Sequence, residues 1–526
     1  MKRGSFIFRW REELLAGLLG GILLAMSFPP FPTRVLAIVA LVPILRYFLV
    51  AFPKLDWRAG ALKRGFFTGF FFGLSFFVVL LFWITNLIPA SAINMSWVMF
   101  PAFILLTLYL ACFPALFSLA LAWFVKRFGP RALFVAPAFW ALTEFMRSTG
   151  EMALSWGLVS SALVPYPIAM QGLSFYGPFG FSMILVLVNV LITFVFFYRS
   201  NRGRVWSLTC LVLLIGSHLW YGAARISNLD STSDTARYSN VAIVQPNLDL
   251  EMKWKPEYRD SIFTEIENMA MDAAASRPDV VIFPETAAPV SISHSTRYRT
   301  WLKRIAVASH TDLFIGYINH VQDGGKWRSF NACGLIDSLG VLRSQYHKVN
   351  LLPFGERIPF SQFLPSLEKM DFGQANFKPG QQQTVFDTTG GKFGALICFE
   401  STFSDFARRY VKHGAEFLVN ITNDGWFGST RGPLQHSETA VLRAIENGVT
   451  MIRSANTGIS MAVDPVGRIK GKIGLDKKGI LQVPVRLADK LTFYCKYGQL
   501  SFFVMFFINL FVFLTPAFFN KHGSFR

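Results

Sequence analysis

Long apolar runs crowd one part of this chain and are missing from another. Seven fall within the first 222 residues, at 14–28, 35–50, 65–87, 98–125, 133–146, 180–198 and 205–221, and an eighth lies at 501–519. Crossing a bilayer core takes about 20 apolar residues of helix. The first, second and fifth runs fall short of that length. Between 223 and 500 short apolar stretches alternate with polar, helix-patterned ones, as in a water-soluble α/β domain. Three regions follow: a seven-span bundle at 1–222, a soluble domain at 223–500, and an eighth span with its tail at 501–526.

Charge gives the bundle a direction. A net charge of +19 in a soluble protein would suggest a nucleic-acid partner. Here, with 52% hydrophobic residues and 55 Phe, the basic residues gather in short loops between apolar runs. That distribution points to membrane topology and anionic headgroups, with no nucleic acid. With a cytoplasmic N-terminus, the inside segments carry Lys2, Arg3, Arg9, Arg11, Lys54, Arg58, Lys63, Arg64, Lys126, Arg127, Arg131, Arg199, Arg202, Arg204, Lys521 and Arg526. The outside connections carry mainly Arg34 and Arg147, and the loop at 86–97 is uncharged. The positive-inside rule therefore puts both termini in the cytoplasm and the 223–500 domain outside it. The opening MKRGSFIFRWREE resembles a signal peptide but has no small-x-small cleavage pattern, so it reads as a retained first helix.

Polar groups inside the runs invite specific expectations. Glu144 and Arg147, three apart in the fifth run, suggest an ion pair anchoring that segment. Asn189 and His218 suggest hydrogen bonds between helices. The five cysteines, Cys112, Cys210, Cys333, Cys398 and Cys495, form no CxxC or metal-ligand spacing. One reactive thiol remains possible among them.

The soluble region has eight strand candidates, at 241–246, 279–285, 313–319, 331–337, 393–400, 417–424, 450–456 and 460–465. Helical patterns at 258–275 and 435–447 fall between them. Two strands end in chemistry. VVIFP runs into Glu285, and FGALI runs into Cys398, followed by Phe399 and Glu400. Between them, Tyr346-His347-Lys348 precedes LLPFGE, which ends at Glu356. An apolar strand that stops at a lone carboxylate or thiol presents that group at a sheet edge, where sites are often built.

In order, FPE, HK with LLPFGE, ICFE and TNDGWFG resemble the nitrilase, or carbon–nitrogen hydrolase, superfamily. With the flanking apolar runs, nearly the whole chain resembles its apolipoprotein N-acyltransferase family. ALTEFMRS at 141–148, MKW at 252–254 and GPLQH at 432–436 belong to the same likeness. The resemblance implies a polytopic α-helical membrane bundle joined to an α-β-β-α nitrilase-like sandwich. It implies Glu285 as general base, Lys348 as electrostatic stabiliser and Cys398 as nucleophile. Glu356 and Glu400 would be supporting acids, Glu356 orienting Lys348 or the incoming amine and Glu400 bracing the turn at Cys398. Trp254 and Trp426 would handle substrate. The family often has Tyr where this chain has Phe399, so any hydroxyl contact there is lost.

The residues suit those roles. Only a few per cent of an ordinary thiol is thiolate near neutrality, so a carboxylate within reach must take the proton. A lysine ammonium beside the thiol favours thiolate and steadies the oxyanion, and the Phe399 N–H is a second oxyanion donor. His347 is a rival base read as structural; His436 reads as structural or as a substrate-channel residue. No metal or cofactor is required. The implied reaction moves an acyl chain from a phospholipid, through a Cys398 thioester, to the N-terminal amine of a diacylglyceryl apolipoprotein. The implied location is the bacterial inner membrane, with a periplasmic catalytic domain; the sequence carries no oligomeric signal, and a monomer is the default expectation. The apolar segment 353–377 suits a lid dipping into lipid. Two alternatives stay open: a membrane-tethered amidase, since the triad does not choose between water and amine, and a scaffold with a degenerate catalytic domain.

Overall fold

A computed structural model of the chain describes residues 10–56, 60–87, 96–323, 325–361, 363–364, 366–367 and 375–519. Lys2, Arg3, Arg9, Arg58, Lys521 and Arg526 of the charge pattern lie outside the described residues, as do most of the 86–97 loop and Met370 and Phe372 of the 353–377 segment. The chain folds into two compact units. One comprises Met1–Thr85, Val98–Ala224 and Tyr497–Arg526, and the other Arg225–Lys496 with Asn86–Trp97.

The first unit is helical. Among the described residues five helical runs are long and apolar enough to cross a membrane: Arg34–Lys54, Ala61–Asn86, Met99–Phe128, Leu173–Phe197 and Asn201–Ser231, the last running on past Ala224. Arg11–Ala25 has 15 residues and Ala136–Arg147 has 12. At 1.5 Å per residue neither spans a core ~30 Å thick by itself. The run at 34–54 is no single helix. It passes from 3₁₀ (Arg34–Ile38) to α (Val42–Arg46) to π (Tyr47–Ala51) to 3₁₀ (Phe52–Lys54). Such broken backbone inside an apolar bundle needs partners for its freed groups. Asn189 supplies them: its Oδ1 accepts from Leu41 N at 2.9 Å and its Nδ2 donates to Ala37 O at 3.0 Å. His218 likewise meets Ala169 O at 2.7 Å. Small residues let the helices close up. A Cβ on Gly73 would stand 2.7 Å from Ala111 Cα.

The expected Glu144–Arg147 ion pair does not form. Arg147 turns instead to the carbonyls of Leu154, Trp156 and Gly157, at 2.7, 2.7 and 2.9 Å. Glu144 Oε1 accepts from Val159 N at 2.8 Å. A buried guanidinium is satisfied by several carbonyls as well as by one carboxylate. The two side chains clasp one loop from opposite ends.

The second unit contains two sheets. Strands β1 (Tyr238–Gln245), β2 (Val280–Ile282), β3 (Ala288–Ser291), β4 (Asp312–Asp323), β5 (Lys326–Ile336) and β6 (Leu342–His347) lead the chain through the first. Strands β7 (Val385–Thr388), β8 (Gly391–Ile397), β9 (Phe417–Thr422), β10 (Thr450–Ala455), β11 (Ser460–Val463) and β12 (Ile469–Ile473) make the second, and β13 (Gly479–Arg486) returns to the first. The orders are β13-β1-β2-β4-β5-β6, with β3 on β4, and β12-β11-β10-β9-β8-β7. Central strands β1, β2 and β4 are parallel, as are β8, β9 and β10. Parallel strands buried on both faces read as continuous apolar runs, and β9 is buried at every position.

Helices Arg259–Ala274 and Thr296–Ser309 cover the first sheet through Ile262, Ile266, Leu302 and Ile305. Helices Ser404–Lys412 and Gly432–Asn447 pack on the second. The sheets meet face to face, with the Phe314 ring 4.9 Å from Phe386 and 5.0 Å from Phe393. This is the α-β-β-α sandwich of a nitrilase-like fold.

Strands β3, β6, β7, β12 and β13 escape the hydropathy pattern. β6 buries only Tyr346 fully, so its sequence carries little alternation. β4 and β5 run further than their apolar halves because the outer end of their hairpin is exposed.

Candidate active site

Three strand ends carry the key side chains. β2 stops at Ile282, and Pro284, which has no N–H for a ladder, turns the chain outward at Glu285. Thr286 then takes φ 46°. Gly316 of β4 lies beneath that turn, where a Cβ would stand 2.6 Å from Thr286 N. Lys348 follows β6, and its N–H donates to Asn331 O at 2.9 Å. Cys398 follows β8 with φ 50°, a left-handed conformation that costs a non-glycine residue about 1–3 kcal/mol. A sharp turn of this kind lifts the thiol off the end of its strand.

The carboxylates and the buried ammonium form one network. Lys348 Nζ lies 2.7 Å from Glu356 Oε2 and 4.0 Å from Glu285 Oε1. Asn331 Nδ2 bridges the two acids, donating to Glu285 Oε1 at 2.7 Å and to Glu356 Oε1 at 2.9 Å. The second Glu285 oxygen accepts from Asn423 N at 2.9 Å. Glu356 Oε2 also accepts from Leu352 N at 2.8 Å.

Glu400 joins the lysine segment to the cysteine turn. Its Oε1 accepts from Tyr346 OH at 2.6 Å, Val349 N at 2.9 Å and Asn350 N at 3.0 Å. Its Oε2 accepts from Ile397 N at 2.8 Å. The residues on either side of Lys348 and the residue before Cys398 thus hang on one carboxylate.

A third cluster lies behind the thiol. His436 Nε2 is 3.2 Å from Cys398 O, and its Nδ1 is 2.9 Å from Asp424 Oδ1. Arg453 pairs with Asp424 Oδ2 at 2.6 Å. His347 faces elsewhere: its Nε2 meets Asn319 Nδ2 at 2.9 Å and its ring stacks on Phe330 at 4.4 Å.

Electrostatics decide the resting state. Burial pushes the Cys398 thiol up; the neighbouring Glu285 charge adds to this, and Lys348 opposes it without cancelling it. The Cys398 sulfur therefore rests as a thiol: the lysine favours thiolate, as expected, but burial outweighs it. Burial also raises Glu285, against Lys348. Burial by itself would lower Lys348, but Glu356, Cys398, Glu285 and Glu400 together hold it above the ordinary lysine value, as a fixed ammonium. Burial lifts Glu400 to about 7. Such a site suits a concerted step, with the proton leaving sulfur as sulfur attacks.

The Carbon-nitrogen hydrolase family matches residues 240–490, and the Apolipoprotein N-acyltransferase N-terminal domain matches residues 20–191. An apolipoprotein N-acyltransferase of Geobacter metallireducens is 31% identical over 506 residues, covering 93% of this chain and 92% of that one. The chain belongs to the apolipoprotein N-acyltransferase family. A Brucella melitensis biotype 1 member is 32% identical over 90% of this chain and 89% of its own. A Chlorobaculum tepidum member is 29% identical over 95% of each. The amidase alternative gains nothing from these relatives.

Against that family background, Glu285, Lys348, Glu356, Cys398 and Glu400 come together at one end of the sandwich. Phe399 is buried with its ring 5.0 Å from Phe403, and among the described residues no hydrogen bond takes up its N–H. Trp254 follows the short helix Leu250–Lys253, with Lys253 Nζ 5.8 Å from its ring centroid. Trp426 is half-buried in the 3₁₀ turn Asp424–Phe427, and among the described residues no hydrogen bond ties it to Cys398.

The sequence reading missed Asn331, Asn423, Asp424, Arg453 and Lys253. Asn423 and Asp424 stand inside TNDGWFG, and Lys253 inside MKW. Asn331 and Arg453 lie in strands, where a lone polar residue on a buried face was the available signal.

Proposed function

We propose that this chain moves an acyl chain from a phospholipid to the N-terminal amine of the S-diacylglyceryl cysteine of apolipoproteins, through a thioester on Cys398. One observation carries the reading. A partly buried thiol lies among a buried carboxylate and a buried ammonium, in a chain related over its length to apolipoprotein N-acyltransferases.

In the first half-reaction Glu285 takes the thiol proton as sulfur attacks the ester carbonyl. Lys348 and the Phe399 N–H stabilise the oxygen that gains charge. The ester C–O bond breaks, the proton passes from Glu285 to the departing glycerol oxygen, and a lysophospholipid leaves. In the second, the α-amine attacks the thioester carbon, the C–S bond breaks, and an amide forms. The proton lost by the amine returns to sulfur through Glu285. Glu356 orients Lys348, Glu400 holds the cysteine turn, and Trp254 and Trp426 contact substrate.

In this reading residues 1–222 and 501–526 anchor a monomer in the bacterial inner membrane by eight crossings. Both termini are cytoplasmic and the 223–500 domain is periplasmic. The loop at 353–377 meets the lipid surface, with Phe354, Phe360, Phe363 and Leu364 exposed. Its root supports the idea: Ala375 N and Phe377 N donate to the carbonyls of Gly355 and Glu356, tying the loop to the acid that holds Lys348.

Purified protein incubated with phospholipid should gain one acyl mass on Cys398, and a diacylglyceryl peptide should discharge it. C398A should do neither. Release of the adduct by water as fast as by the peptide would replace transferase with hydrolase. Labelling of introduced cysteines with a membrane-impermeant reagent tests the orientation.

A further inference from the structure

The helix Leu250–Lys253 ends on a lysine that the triad leaves unused. Lys253 is 1% exposed. Its Nζ donates to the main-chain carbonyl of Glu285 at 3.1 Å and lies over the Trp254 ring. Among the described residues it forms no ion pair with a carboxylate. A buried ammonium without a carboxylate partner is costly, and such costs persist where they serve a site.

The acid it faces electrostatically is Glu285. Around that carboxylate stand Lys348 beyond β6, Glu356 in the next turn, Cys398 beyond β8 and Cys333 in β5. Lys348 is claimed by Glu356 at 2.7 Å and stands 4.0 Å from Glu285. Lys253 has no such competing acid.

We propose that Lys253 is a positioning residue for acyl transfer: its ammonium anchors the Glu285 main chain and keeps that carboxylate ionised in the acid half of the working range. The inference rests on Glu285 being the base. Burial lowers Lys253 to about 7, with Glu285 opposing the shift. The amine is therefore charged below about pH 7, and its positive charge opposes the burial that raises Glu285. Loss of that positive charge lets Glu285 keep its proton to higher pH, so the acid limb of the rate profile moves upward.

The test follows thioester formation on Cys398 by intact mass, from diacyl phosphatidylethanolamine in mixed micelles, between pH 5.5 and 8.5. K253Q keeps a donor without the charge, K253M keeps neither, and K253R keeps both. K253Q and K253M should acylate at least tenfold more slowly than the parent at pH 6 and within threefold at pH 8.5. K253R should retain the parental acid limb. An unshifted K253Q profile, or a slowing equal at every pH, overturns the inference. Neutral variants that fail to fold, by thermal melting, assign Lys253 to the scaffold and overturn it too. E285Q separates the two ideas: thioester formation at the parental rate in E285Q defeats the base assignment itself.

Discussion

Removing the Glu356 charge is the most direct way to test how Lys348 is held. In E356Q the amide oxygen takes over one role and the amide nitrogen the other. With the oxygen toward Lys348, the 2.7 Å ion pair becomes a hydrogen bond to a neutral acceptor. The bond keeps the Lys348 charge and stays within the ~1.5–3 kcal/mol range of bonds involving a charged group, but loss of the opposing charge weakens it by about 1 kcal/mol. The amide nitrogen then faces Asn331 Nδ2, which donated to Glu356 Oε1 at 2.9 Å. Two donors now confront each other in a buried site, at a cost of about 1–3 kcal/mol. Lys348, freed from its nearer acid, shifts toward Glu285, now 4.0 Å away, and makes that carboxylate a weaker proton acceptor in the proposed role. The sum is about 2–4 kcal/mol, or roughly 30- to 1000-fold in the acylation rate. The backbone at Glu356, which roots the 353–377 loop, is untouched, so the apparent KM for phospholipid should hold. Single-turnover thioester formation by intact mass measures the rate. Acylation within threefold of the parent would refute the argument.

Other perturbations read different parts of the site. N331A removes the donor shared by Glu285 and Glu356 and should slow thioester formation about 10- to 100-fold, from charge-assisted bonds worth about 1.5–3 kcal/mol each; a parental rate sinks the bridge. Serine at Phe360, Phe363 and Leu364 should raise the apparent KM for phospholipid at least tenfold with kcat kept, and unchanged kinetics would defeat the lipid-contact reading. D424N leaves Arg453 buried without its acid and should cost about 3–5 kcal/mol, lowering Tm by roughly 10 °C. Burial by itself would raise the Asp424 carboxyl, but Arg453 and His436 hold it well below the usual carboxylate range. Its stabilisation is therefore complete above about pH 4 and fades as pH falls below that value. D424N should show a flatter acid limb in a pH series of melts, and equal slopes would refute the coupling.

Hydropathy and motif order by themselves separated an apolar helical part from an α/β part and brought Glu285, Lys348 and Cys398 into one hypothesis. They succeed because helix burial and parallel-strand burial both leave continuous apolar runs, and because β2 and β8 each stop at a single reactive group. Short or exposed elements left no such trace. β6, which delivers Lys348, buries one side chain fully, and the broken run at 34–54 hides its irregular backbone behind uniform apolarity. Tertiary structure alone decided the partners. Glu144 and Arg147 are a helical turn apart in sequence, yet each binds loop backbone instead. Asn331, Lys253 and Arg453 are unremarkable as letters. They gain meaning only where folding removes water and leaves each charge or donor to find a partner from a distant strand, as Arg453 finds Asp424 and Asn331 finds two acids at once.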